Sequence, residues 1–84
     1  MGEMKRCYEA ALKQQPTLSG RVMVQFVIGM RGQVSSSEVK SSTLGNPTVE
    51  NCLLQAIRRW EFPPPKQGAD VVIVYPFVFN TQRD

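Results

Sequence analysis

The run Asn46 to Pro65, NPTVENCLLQAIRRWEFPPP, decides how the rest of the chain must be arranged. Within it Val49, Cys52, Leu53, Ala56, Ile57 and Trp60 fall at i, i+3, i+4, i+7, i+8 and i+11, the spacing that aligns one apolar stripe along an α-helix. Such a helix lies on a flat apolar surface. At its start Asn46 can accept from a free backbone N–H, and Pro47 lacks the donor that the first helical position would leave unpaired. At its end Pro63, Pro64 and Pro65 cannot continue the hydrogen-bond ladder. Trp60, the only tryptophan, is placed in the last turn, where it reads as a core anchor rather than a ligand-stacking platform.

Downstream of the prolines, Lys66 to Asp70 is a polar loop, and Val71 to Phe79 is the strongest strand in the sequence. Val71, Ile73, Tyr75, Phe77 and Phe79 form one face of it, and Val72, Val74, Pro76 and Val78 the other. Proline cannot donate to a ladder, so this strand is predicted at an edge, at least around Pro76. The polar tail Asn80 to Asp84 is expected to fray.

Upstream, Gln33 to about Ser42 is a polar arm in which Val34 and Val39 lie an odd number of positions apart. A regular strand would put them on opposite faces, and a bulge or kink near Ser36-Ser37 would reconcile them. Gly29-Met30-Arg31-Gly32 returns the chain into this arm as a hairpin. Before the turn, Val22, Val24, Phe26 and Ile28 alternate with Met23, Gln25 and Val27, which suits a central strand from Arg21 to Ile28 with helices on one side and a partly covered second side. Met4, Cys7, Tyr8, Ala11 and Leu12 repeat at three and four residues, so Glu3 to about Gln15 reads as a short amphipathic helix stopped by Pro16.

The elements therefore follow the order α-β-β-α-β. An α+β fold with two helices packed on one face of a three-stranded antiparallel sheet, the last strand at an edge beside the first, buries every apolar stripe. The 84 residues suffice for a single small domain, 1–84, whose core leaves a thin margin of stability. Met1-Gly2 reads as an added start, so a leader or membrane anchor upstream stays open. No signal peptide or bilayer-spanning apolar run is present in the sequence.

Several function classes are disfavoured by the residues themselves. The absence of histidine removes His-based acid/base catalysis and ordinary zinc sites, and no metal or other cofactor is expected. Glu3, Glu9, Glu38, Glu50, Glu61, Asp70 and Asp84 are spread over separate elements with no close pair for acid/base work. Ser35, Ser36 and Ser37 have no histidine to activate them. The net charge of +3 is scattered, and Arg58-Arg59, the only adjacent arginines, reads as an exposed helix face near a favourable C-terminal dipole. That pattern does not suggest a nucleic-acid partner. Cys7 and Cys52 are too far apart in sequence for a zinc knuckle or a CxxC motif. Contact between the two helices would bring them together, and both a disulfide and a pair of buried thiols stand open on this ground.

Ala56-Ile57-Arg58-Arg59-Trp60-Glu61-Phe62-Pro63-Pro64-Pro65, followed by Val71-Val72-Ile73-Val74-Tyr75-Pro76-Phe77-Val78-Phe79, resembles the C-terminal domain of TonB-type energy transducers. Gly20-Arg21-Val22-Met23-Val24-Gln25-Phe26-Val27-Ile28 with Gly32-Gln33-Val34 is similar to that family's first hairpin, and Ser41-Ser42-Thr43-Leu44 to its approach to the helix. The Cys7-Tyr8 start, Cys52 and the YPFVF strand resemble a paired-cysteine branch found in the envelope proteins of the myxobacterial gliding machinery. The resemblance implies a non-enzymatic periplasmic domain tethered to an inner-membrane segment, passing work from a proton-driven motor to outer-membrane partners in transport or gliding motility. It also implies binding by strand addition, in which a peptide of an outer-membrane or periplasmic protein pairs with Val71, Val72, Ile73, Val74, Tyr75, Pro76, Phe77, Val78 and Phe79. A disulfide-permissive compartment favours an oxidised Cys7–Cys52 pair.

A long apolar edge is a hazard unless something uses it, which supports strand addition on physical grounds. Serine richness in the second arm and the donor missing at Pro76 depart from the family pattern. The alternative is a structural module of an envelope complex that self-associates, for which strand exchange into a homodimer is physically cheap.

Overall fold

The structure is a computed structural model that describes residues 2–66 and 68–80. Its elements run α1 (Gly2–Leu12), β1 (Gly20–Ile28), β2 (Val34–Ser42), α2 (Pro47–Arg58) and β3 (Val71–Phe79). β1 is central, with β2 and β3 antiparallel on either side. Both helices lie on one face of this sheet, where Met4, Cys7 and Tyr8 of α1 and Val49, Leu53, Ala56 and Ile57 of α2 share a core with Val22, Val24, Phe26, Ile28 and Phe77. The expected fold class and element order are those observed. Of the tail expected to fray, Thr81 to Asp84 lie outside the described residues.

α2 starts as its sequence dictates. The Asn46 side chain accepts from the Val49 N–H at 3.0 Å, and Pro47 occupies the first turn. It ends at Arg58, well before the prolines. The Arg59 and Trp60 N–H groups turn back onto Ala56 and Ile57, and the chain then runs extended. Glu61 forms a bridge to Gln33, and the Phe62 N–H donates to the Gly32 carbonyl at 2.8 Å. This long-range pairing with the β1–β2 turn draws the segment out of the helix, so Trp60 stands just past the last turn rather than within it. Gly32 makes the approach feasible, because at its φ of +90° an added Cβ would lie 1.8 Å from the Phe62 oxygen. Trp60 is half-buried, with its ring 5.9 Å from Phe26 and 6.3 Å from Phe77.

α1 also ends earlier than expected, at Leu12. The Gln14 and Gln15 N–H groups both reach the Ala11 carbonyl, and Pro16 disfavours a helical conformation at the residue before it. Tyr8 holds the helix down: its hydroxyl donates to the Leu18 carbonyl, and its ring lies 4.9 Å from Phe79. Burial raises the Tyr8 pKa above the usual 10.0, so the hydroxyl keeps its proton and acts as a donor at neutral pH. Glu3 at the start of α1 accepts two bonds from Arg59, and Asn46 donates to Gln15 at the opposite end, which fixes the helices antiparallel. Between these ties Cys7 and Cys52 form a disulfide, with Cα atoms 5.7 Å apart and a sequence separation of 45. In the chain-entropy model a loop of that length contributes about 4 kcal/mol.

β2 contains the irregularity that its valines require. The register against β1 skips Ser35 and again Lys40, so that Val34, Ser37 and Val39 face Ile28, Phe26 and Val24 on the core side. The first bulge thus falls at Ser35, one residue before the expected position, and a second one is present. A partly covered second sheet face was also expected. Among the described residues no element lies over it, and Met23, Gln25 and Val27 are partly shielded only by their neighbours across the strands.

Candidate functional site

The two flanking strands differ in what they leave open. At β1 the Arg21 carbonyl accepts from the Thr43 N–H and the Arg21 N–H donates to Thr43 Oγ1, both at 2.8 Å, so the backbone of Arg21 faces the β2 side. Strand backbones alternate, so Met23, Gln25 and Val27 face the same way, and Gly20, Val22, Val24, Phe26 and Ile28 turn toward β3. Their partners there are Phe79, Phe77, Tyr75, Ile73 and Val71. The residues between these, Val72, Val74, Pro76 and Val78, therefore direct their backbone groups away from β1. Pro76 interrupts no bond inside the sheet, and the register runs through it without a shift.

Among the described residues nothing pairs with that outer row. It is also apolar: Val72, Val74 and Val78 are exposed to 60%, 49% and 66% on the open sheet face. On the helix side cover is uneven. Phe79 lies beneath Tyr8 and Phe77 beneath Trp60, whereas Tyr75 is half exposed, its ring 5.0 Å from that of Phe77. The strand thus combines a free hydrogen-bonding edge with apolar side chains on both faces, which is what an added strand requires.

Several other polar side chains have partners within the fold. Arg58 donates to Ser37 Oγ at 2.9 Å and to the Ser37 carbonyl at 3.2 Å, and the Ser37 hydroxyl reaches the Leu54 carbonyl. Arg58 and Arg59 therefore fasten α2 to β2 and to α1, a use that their sequence position does not reveal. Glu50 accepts from the Ser42 hydroxyl at 2.7 Å, Glu38 lies 3.7 Å from Lys40, and Glu9 lies 3.9 Å from Lys5. Among the described residues no group of three His, Cys, Asp or Glu side chains could hold a metal ion. Beside the disulfide an open groove of about 310 Å³ runs between the helices, lined by Arg6, Ala10, Gln14, Asn46 and Thr48 among others.

The chain thus folds as a small antiparallel sheet with both helices on one face and, among the described residues, an apolar last strand whose outer backbone row has no partner. The family model described as Gram-negative bacterial TonB protein C-terminal matches residues 9–81, and the chain belongs to that family. Members are non-enzymatic interaction domains of energy transducers, located in the periplasm of Gram-negative bacteria. No curated protein and no solved structure matches the chain.

Proposed function

We propose that this domain captures a segment of an outer-membrane or other envelope protein by adding it as a fourth strand beside β3, and so couples an inner-membrane motor to that partner. The observation that carries this reading is the outward row at Val72, Val74, Pro76 and Val78, regular in register and unpaired among the described residues. Main-chain pairing supplies affinity with little demand on sequence, and the alternating side chains supply choice. The paired cysteines support a role in gliding motility through the branch that the sequence resembles. A full-length sequence with one membrane-spanning segment followed by an extended linker would accord with an inner-membrane anchor.

Titration of the oxidised domain with synthetic segments of candidate outer-membrane proteins, followed by backbone amide shifts, tests the docking site. Changes should centre on Val71 to Phe79; changes confined to β2 or the helices would sink strand addition. The exposed valines of β3 also favour a second reading, in which copies of the domain pair with one another inside an envelope complex. Sedimentation across a range of concentrations separates the two, because a domain that stays monomeric throughout leaves self-association without support.

A further inference from the structure

We infer that Pro76 sets the register and length of the strand that β3 accepts, an inference that rests on the strand-addition reading. The outward row offers carbonyls at Val72, Val74, Pro76 and Val78, but N–H donors only at Val72, Val74 and Val78. Outward positions recur about 7 Å apart along a strand, so the proline leaves about 14 Å between the donors of Val74 and Val78. A partner carbonyl placed opposite Pro76 would lose water and meet no donor. Pairing is therefore complete over Val71 to Tyr75 and defective beyond it.

The side chains change at the same point. Before the proline, Tyr75 is half exposed, with Val71 exposed two rungs away. After it, Phe77 and Phe79 are covered by the domain's own Trp60 and Tyr8. Only the first half of the strand thus presents uncovered apolar groups on both faces, Val72 and Val74 on one and Val71 and Tyr75 on the other. No residue of β3 is charged, so neither an acidic nor a basic ligand finds a counterion along the row. The occupant that fits is an extended peptide with about five pairing residues, apolar at successive positions, which ends or turns away where it reaches Pro76.

Peptides of alternating valine and threonine with a lysine at each end, carrying five or nine residues between the lysines, serve as probes. Titrated into the oxidised domain and followed by amide shifts, the two should bind with the same affinity, with changes concentrated at Val71 to Tyr75. The variants Pro76→Ala and Pro76→Val restore the donor at an exposed site. They should leave the shorter peptide unaffected and tighten the longer one about fivefold to tenfold, the effect of one regained hydrogen bond. If the longer peptide already binds the native domain more tightly, with changes extending evenly through Val78, or if neither variant alters the dependence on length, the inference about Pro76 fails while strand addition stands. If neither peptide perturbs β3 in any of the three proteins, strand addition itself fails, and the inference with it.

Discussion

β2 and β3 occupy equivalent places, each nine residues long and each an edge strand antiparallel to β1, yet only β3 presents a regular, uncharged rim. β2 reads VSSSEVKSS, is bulged at Ser35 and Lys40, and is fastened to α2 through Ser37. Bulges and charged side chains are ordinary ways of making a sheet edge unattractive to another chain. β3 reads VVIVYPFVF, keeps an unbroken register, and lacks any charge. Position at the edge is thus common to both strands, and regularity and the absence of charge are what distinguish β3.

The strongest way to stress this contrast is to remove the sulfur bridge. The double variant Cys7→Ser, Cys52→Ser should lose about 4 kcal/mol of stability by urea unfolding. The loss should reach β3 first, because α1 covers Phe79 through Tyr8, whereas β2 is held by α2. Exchange of the Phe77 and Phe79 amides, which face β1, should therefore rise before exchange in β2, and the opposite order would break the distinction.

Ser37→Ala probes the β2 side. It deprives Arg58 and the Leu54 carbonyl of a partner and should cost about 1 kcal/mol. Exchange in the middle of β2 should increase, while peptide binding at β3 stays at its native level. A drop in peptide affinity would mean that the two edges are coupled through β1.

The smallest effect on stability is expected on the open side. Val74→Lys places a charge on a side chain that is already half exposed and should change stability by no more than about 0.5 kcal/mol. Binding of an apolar strand at the rim should nevertheless weaken. A stability loss well above that figure, growing with protein concentration, would show that Val74 is buried against a second copy.

Much of this was legible in the sequence because it depends on local periodicity. The stripe on α2, the alternation of β1 and β3, and the cap at Asn46 each report a neighbour within a turn or two of chain. What escaped depends on partners far along the chain. The prolines suggested a helix reaching past Trp60, but Glu61 and Phe62 leave it early to pair with the turn at Gln33 and Gly32. Arg58 and Arg59 are exposed, as their position implied, but their bonds to Ser37 and Glu3 were not legible because those partners are distant in sequence. The parity mismatch of Val34 and Val39 did signal a bulge, yet the second skip, at Lys40, had no apolar residue beyond Val39 to betray it. The rim was readable as an edge from Pro76, whereas the side to which its nitrogen points emerged only from the bonds between Arg21 and Thr43.

The bond between Cys7 and Cys52 also shapes how the domain would bear a mechanical load. A pull between the start of α1 and a ligand seated on β3 would cross directly from one helix to the other through the sulfur atoms, and continue along residues 53–70 into the last strand. The β1–β2 hairpin lies inside the closed covalent loop, and so outside that line of tension. Stretching an oxidised molecule would leave this hairpin unextended, whereas a reduced one would expose the whole span from residue 8 to residue 51 to unravelling.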